Sequence, residues 1–187
     1  MMKKILVVES SPLQTDSFSN KLSKEIIASL RQSSGNAEVK VRNLITNTPP
    51  LLTKLEFGAY SAEAIQEVMD ADTIIVNIPM HNFSMPAVLK AWIDQICVAG
   101  KTFSYTAEGP KGLVTGKKVY LSIATGGIYS DHQNKGGDFI ENYMKALFSF
   151  LGMTDVETFR VEGLAYPNLK ETALPTAIEK VHAHFKK

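Results

Sequence analysis

The chain has 187 residues, 44% of them apolar, and its 20 basic and 19 acidic residues leave a net charge of +1. That length suits one domain over residues 1–187, burying roughly 70% of the surface an unfolded chain would expose, and the apolar content excludes disorder. The even charge balance, without a basic block, points away from nucleic acid and anionic membranes and leaves small molecules as partners; the single cysteine, Cys97, excludes an internal disulfide framework.

Strand-like and helical patterns then alternate. Residues 4–8 are an apolar run rich in β-branched side chains, too short and too soon ended by Glu9 to be a secretory signal. Residues 19–32 carry Leu22, Ile26, Ile27 and Leu30 on the stripe of a helix, with Ser17 or Ser19 as N-cap. A turn at 33–36 leads to a short alternating strand at 38–43. An irregular connection follows at 46–55, then a helix at 60–69. The third strand, 73–78, is a continuous apolar run that stops at Pro79; Met80, His81, Asn82 and Phe83 follow, and Pro86 opens an apolar helix over 86–99. Cys97 falls on or near the apolar side of that helix and reads as a buried structural thiol. A long loop covers 100–116. The chain closes with a strand at 118–124, a helix at 136–151, a strand at 155–161 and a helix at 170–185. No run reaches transmembrane length, and the expected compartment is the cytoplasm.

This order implies an α/β fold of three layers, a parallel sheet with helices on both faces. Five strands favour the flavodoxin-like order 2-1-3-4-5, whose ligand crevice lies outside the carboxyl ends of strands one and three. The ligand loops are then 9–19, 79–86 and 124–137. In the first, Ser11, Ser17 and Ser19 surround the start of a helix, where free N–H groups and a partial positive charge suit a phosphate; the serines serve equally well as N-caps. No glycine is present there, which argues against a dinucleotide fingerprint, and the Gly112…Gly116-Lys117-Lys118 run has neither the spacing nor the Ser or Thr of a P-loop. In the second loop, His81, Asn82 and Phe83 suit a planar heterocycle with polar edges. In the third, Gly126-Gly127 lets a ligand approach the backbone, and Tyr129 and His132 are candidate proton donors or substrate contacts; a plain turn with a solvated His132 is the other reading. A phosphate at one loop and a planar ring between the other two is the layout for flavin mononucleotide, FMN. No metal site is expected.

Several longer stretches carry a family resemblance: Glu9-Ser10-Ser11 with Ser17-Phe18-Ser19-Asn20, Pro79-Met80-His81-Asn82-Phe83, Thr102-Phe103-Ser104-Tyr105-Thr106, Gly109-Pro110-Lys111-Gly112-Leu113 and Gly126-Gly127. With these the chain resembles the FMN-dependent NADH:azoreductases, flavodoxin-like NAD(P)H:quinone oxidoreductases formerly called acyl carrier protein phosphodiesterases. It differs at His81, where many relatives carry Tyr, and at Ala124-Thr125, where relatives often show Ser followed by Arg or another polar residue.

The resemblance implies that Ser11, Ser17, Phe18 and Ser19 hold the phosphate and ribityl chain of a tightly bound FMN. It places Met80, His81, Asn82 and Phe83 on the ring, with Ala124, Thr125, Gly126 and Gly127 at the pyrimidine edge. It also implies a homodimer in which Phe103 and its neighbours wall the partner's substrate pocket, beside Tyr129. The implied reaction is ping-pong: NADH or NADPH gives hydride to the flavin and leaves, and a quinone or azo compound then takes two electrons. An electron carrier of flavodoxin type is the alternative; such carriers are strongly acidic, unlike this chain. A phospho-accepting receiver domain would need acids at the end of strand one and has only Glu9.

Overall fold

Five parallel strands build the sheet: β1 (Lys3–Glu9), β2 (Ala37–Asn43), β3 (Thr73–Pro79), β6 (Lys118–Ala124) and β7 (Asp155–Val161), in the order β2-β1-β3-β6-β7. A computed structural model defines it, and describes residues 2–131 and 135–186. With the main strands counted alone, this is the expected order 2-1-3-4-5. Helices α1 (Phe18–Ser34) and α5 (Lys170–Phe185) cover one face. On the other lie α2 (Ala59–Asp70), α3 (Ala87–Ile96) and α4 (Glu141–Leu151).

The period-2 alternation of each strand divides the core in two. Leu6, Val8, Ile74, Val76, Ile78, Leu121 and Ile123 meet Val68, Trp92, Ile96, Met144 and Phe148 on the three-helix face. Ile5, Val7, Ile75, Tyr120 and Phe159 meet Leu22, Ile26 and Val181 on the other. Strands buried on both faces explain the apolar runs 5–8 of β1 and 74–76 of β3. At the edge strand β2, buried Arg42 makes a bidentate pair with Glu67 of α2, the second bond at 2.8 Å, and a third contact to Glu63 at 2.8 Å. That pairing ties the edge of the sheet to α2.

The structure corrects three sequence-based boundaries. The 86–99 helix ends at Ile96, because the buried Thr102 hydroxyl donates to the Ile96 carbonyl at 2.6 Å and accepts the Val98 N–H at 3.1 Å. The 100–116 loop contains a two-stranded hairpin, β4 (Phe103–Thr106) with β5 (Gly109–Gly112). Its Gly and Pro residues read as breakers in the sequence. They are tolerated because each strand has only one partner. The 136–151 helix starts five residues late, at Glu141: a 3-10 turn, Lys135–Gly137, precedes it, and the Asp138 carboxylate accepts the N–H groups of Ile140 and Glu141 at 3.0 and 3.2 Å. Asp138, two residues before the N-cap Ile140, is the acceptor at this helix start that the sequence reading passed over.

The hairpin packs on the end of α4 through two glycines. A Cβ on Gly112 would stand 2.1 Å from the backbone nitrogen of Gly152, which itself ends α4 at φ 103°. Gly112→Ala is therefore expected to cost about 1–3 kcal/mol by overpacking. For a chain of this size that lowers the melting temperature by about 3–10 °C. Gly136→Ala, where a Cβ meets nothing within 4 Å, should leave thermal unfolding unchanged in the same calorimetric comparison.

Candidate functional site

The loops after β1, β3 and β6 gather at the carboxyl edge of the sheet. The first is polar and buried. Ser10, Ser11, Ser17 and Ser19 are each no more than 2% exposed. The Ser10 hydroxyl donates to the Asn77 carbonyl at 2.7 Å, and Ser11 Oγ accepts the Leu13 N–H at 3.3 Å. Ser17 is the N-cap of α1: its Oγ accepts the Asn20 N–H at 3.4 Å and lies 2.9 Å from Ser19 Oγ. The N–H groups of Phe18 and Ser19 begin the helix and have no acceptor within it. Two hydroxyls and two free N–H groups at the positive end of a helix are a donor set for an anion. The Phe18 ring, by contrast, packs on the α1/α5 face of the core, with Lys21 Nζ 5.3 Å from its centroid. Only its backbone is placed to serve a ligand in this loop.

In the second loop, His81 and Ser84 exchange hydrogen bonds, N–H to carbonyl, at 2.8 and 2.9 Å. Asn82 and Phe83 between them have φ of 49° and 66°, the signature of a type I′ turn. Asn adopts this conformation readily, whereas for Phe it costs about 1–3 kcal/mol, which surrounding contacts must hold. One is the Met80 N–H, which donates to the Ala124 carbonyl at 2.8 Å and continues the β3–β6 ladder into the loop. Another is Tyr129, whose ring meets Phe83 edge-on with centroids 6.5 Å apart. Met80 is half-buried against the core, while His81, Asn82 and Phe83 are exposed.

The third loop presents its backbone. Ala124 and Thr125 are buried, and the Thr125 hydroxyl donates to the Gly127 carbonyl at 2.7 Å. The carbonyls of Thr125, Gly126 and Gly127 accept from Leu164, Ala165 and Gly163 at 3.2, 2.9 and 3.1 Å. The N–H groups of Gly126 and Gly127 have no partner among the described residues. A Cβ on Gly127 or Gly137 would stand 3.1 or 2.9 Å from the Tyr129 ring, which occupies the space both glycines leave. His132 lies outside the described residues.

A charged cluster that sequence reasoning missed holds this loop. Both oxygens of Glu162, directly after β7, are engaged. Oε1 accepts the N–H groups of Tyr129 and Ser130 at 2.9 and 3.0 Å, and Oε2 accepts the Ser130 hydroxyl. Arg160 on β7 lies between Glu162 and the far end of the loop. It pairs with Asp138 and, at 2.5 Å, with Glu141, and its Nη1 is 3.6 Å from Glu162. Burial alone would raise the Glu141 carboxyl, but hydrogen bonds from Lys145 and Arg160 outweigh it and hold the group down at about 2. Charge–charge attraction and hydrogen bonding likewise outweigh burial at Arg160, and its pKa is raised. The signal in the sequence was an acid and a glycine closing the last strand, at a fourth carboxyl-end loop.

Phe103 and Cys97 lie outside these three loops. Phe103 is 8% exposed and packs on Phe150, ring centroids 4.5 Å apart; its neighbour Tyr105 is 74% exposed and forms the outer surface of the hairpin. Cys97 is half-buried beside the core, and burial pushes its thiol up to about 11, so it stays protonated at neutral pH. A cavity of about 570 Å³ opens beside the second loop, lined among others by Met85, Lys90, Phe139 and Tyr143.

The residues present fit FMN. A hydroxyl-lined helix start suits its phosphate, and a glycine pair with free N–H groups beside an exposed turn of amide and aromatic suits its ring. A family model described as flavodoxin-like fold matches residues 3–185. An FMN-dependent NADH:quinone oxidoreductase of Xanthomonas oryzae pv. oryzae is 41% identical over 96% of this chain and 95% of its own. One of Azospirillum brasilense with the same name is 38% identical over 96% of each chain. Among solved structures, an FMN-dependent NADH-azoreductase from Bacillus anthracis in complex with FMN superposes with a TM-score of 0.86, at 29% identity, over 99% of this chain and 98% of that one.

Glu162→Ala is expected to speed hydrogen exchange at the amides of Tyr129 and Ser130, whereas Glu162→Gln, whose carbonyl still accepts, should change it little. The Glu141 contribution has a defined pH window: it is complete above about 4.5 and is lost as pH falls toward about 2, because the folded carboxyl is depressed. Acid-unfolding curves of Arg160→Gln should accordingly show a weaker slope between those limits than those of the parent protein.

Proposed function

Since the chain belongs to the flavodoxin-like family of FMN-dependent NADH:quinone oxidoreductases, we propose that residues 1–187 act as one FMN-binding domain that oxidises NADH or NADPH and reduces quinones and azo compounds. The observation that carries this reading is the pairing, on one sheet edge, of a serine-lined helix start with two glycine N–H groups that no part of the described chain uses. When bound, FMN would supply the two-electron redox chemistry, accepting and donating hydride.

The chain's own residues bind, orient and exclude. Ser11, Ser17, Ser19 and the backbone of Phe18 hold the phosphate end. Met80, His81, Asn82 and Phe83 would seat the ring, with Ala124, Thr125 and the Gly126-Gly127 backbone holding its pyrimidine edge. The two glycine N–H groups stabilise negative charge at the pyrimidine edge. They are fixed in advance, since the carbonyls around them are bonded to 163–165. Tyr129 is both a wall of the substrate space and a candidate proton donor, as is His132; no protein nucleophile is required, and the protonated Cys97 does not supply one.

The same reading makes the protein a cytoplasmic homodimer. Exposed Tyr105, Phe139 and Tyr143 are apolar surface that supports contact with a second copy, in which Phe103 and its neighbours wall the partner's substrate pocket. Among the described residues no helix is long and apolar enough to cross a membrane. The alternative, a carrier docking to redox proteins, has less support: the relatives bear enzyme names and the net charge is +1.

Protein purified without added flavin should show a flavin spectrum that bleaches with NADH under anaerobic conditions and returns on adding a quinone. A colourless protein that takes up no FMN would sink the reading. Asn82→Gly keeps the positive φ and loses only the amide, while Asn82→Ala also strains the turn. Both are expected to weaken FMN binding or slow turnover, Asn82→Ala more, whereas Cys97→Ser should retain cofactor and activity.

A further inference from the structure

The α1/α5 face of the sheet is apolar until its carboxyl edge, where Asn77 on β3 and Ser122 on β6 stand in register, both fully buried. Alternation calls for apolar side chains at those positions. Instead, the Ser122 hydroxyl donates to the Ser19 carbonyl at 2.8 Å, and Asn77 Nδ2 donates to Asn20 Oδ1 at 3.1 Å and to Ser23 Oγ at 3.0 Å. Asn20 in turn donates through Nδ2 to the Gln14 carbonyl at 2.9 Å, and Gln14 sits at φ 47°, a conformation that a residue other than glycine rarely holds unaided.

The direction of each bond is fixed by its neighbours. The Ser23 proton is committed to the Asn20 carbonyl at 2.9 Å, so Ser23 Oγ can only accept from Asn77. Asn20 Nδ2 is committed to Gln14, so its Oδ1 must accept as well. A side chain at 77 that donates twice satisfies both; a carboxylate would set oxygen against oxygen. The arrangement also leaves Asn77 Oδ1 buried without a hydrogen-bond partner among the described residues, which an apolar residue would avoid. The amide's two donated bonds keep Asn20 Oδ1 and Ser23 Oγ from being buried without a donor. It also supplies a relay from the sheet, through Asn20, to the loop that ends at Ser17.

We propose that Asn77, acting through Asn20, is a positioning residue that sets the shape of the phosphate-binding loop before the cofactor arrives. This rests on the FMN reading above and concerns the phosphate end alone. It follows that the relay governs affinity for FMN but not for riboflavin, which has the same ring and ribityl chain without the phosphate.

The test compares flavin-free protein with Asn77→Val, a near-isosteric strand former, and Asn20→Ala, which opens the relay from the helix side. Dissociation constants for FMN and riboflavin are measured by fluorescence quenching, and hydrogen exchange is followed at the amides of residues 17–20. The expected result is an FMN affinity lowered by about tenfold or more, the worth of a hydrogen bond to a charged group. Riboflavin affinity should stay within about threefold, below the worth of a typical neutral hydrogen bond. Exchange at 17–20 should be faster without flavin, in whichever variants fold. Equal weakening of both flavins would overturn the proposal and make Asn77 a packing residue, as would FMN affinity and exchange that match the parent. A parent protein that binds neither flavin overturns the FMN reading and this inference together, whereas a parent that binds FMN beside variants with an unchanged FMN-to-riboflavin ratio overturns the inference alone.

Discussion

Everything at the site depends on the sheet reversing its winding between β1 and β3. The crossover from β1 through α1 runs outward to β2, and the next, through α2, passes back over β1 to β3. Right-handed crossovers leaving in opposite directions place α1 on one face and α2 on the other. The chain must part between the ends of β1 and β3, and that gap is the crevice. The loops beside it need only line a space that the topology has already opened.

Lining it requires polar groups where the fold would otherwise bury apolar ones, and the structure meets this in two ways. Beneath the first loop the polar groups are neutral, buried and bonded to one another: Ser10, Ser17, Ser19, Asn20, Ser23, Asn77 and Ser122. Around the third loop they are charged and half-buried, with Arg160 joining Asp138, Glu141 and Glu162. The difference has an electrostatic logic. Uncharged groups beneath the helix start leave its partial positive charge undiminished for an anion, whereas the third loop needs anchorage at two separated points, which one guanidinium with several donors provides.

The second loop stands between these and is the most strained. Phe83 holds a left-handed conformation because a bonded ladder and the edge of Tyr129 fix it from two sides, and Tyr129 is itself held by Glu162. The second and third loops are thus coupled, from the last strand through Tyr129 to the turn that carries Asn82. Local strain of this kind is tolerated at sites whose geometry matters more than their contribution to stability.

The sequence by itself determined the alternation of strands and helices, the parallel order and the three loops, because hydrophobic period and chain direction are local properties. Ser11, Ser17, Ser19, Asn82 and Gly126-Gly127 were legible as candidates from their positions just past strand ends. The hairpin at 103–112, the late start of α4 and the inward turn of Phe103 were not, since each depends on what the segment packs against. The two networks that hold the site were decided by tertiary structure alone. Asn77 and Asn20 are 57 residues apart, and Tyr129 and Glu162 are 33 apart, in segments whose periodicity says nothing of the other. A polar residue in a buried strand reads in sequence as a defect in the pattern; only the fold supplies the partner that makes it a support.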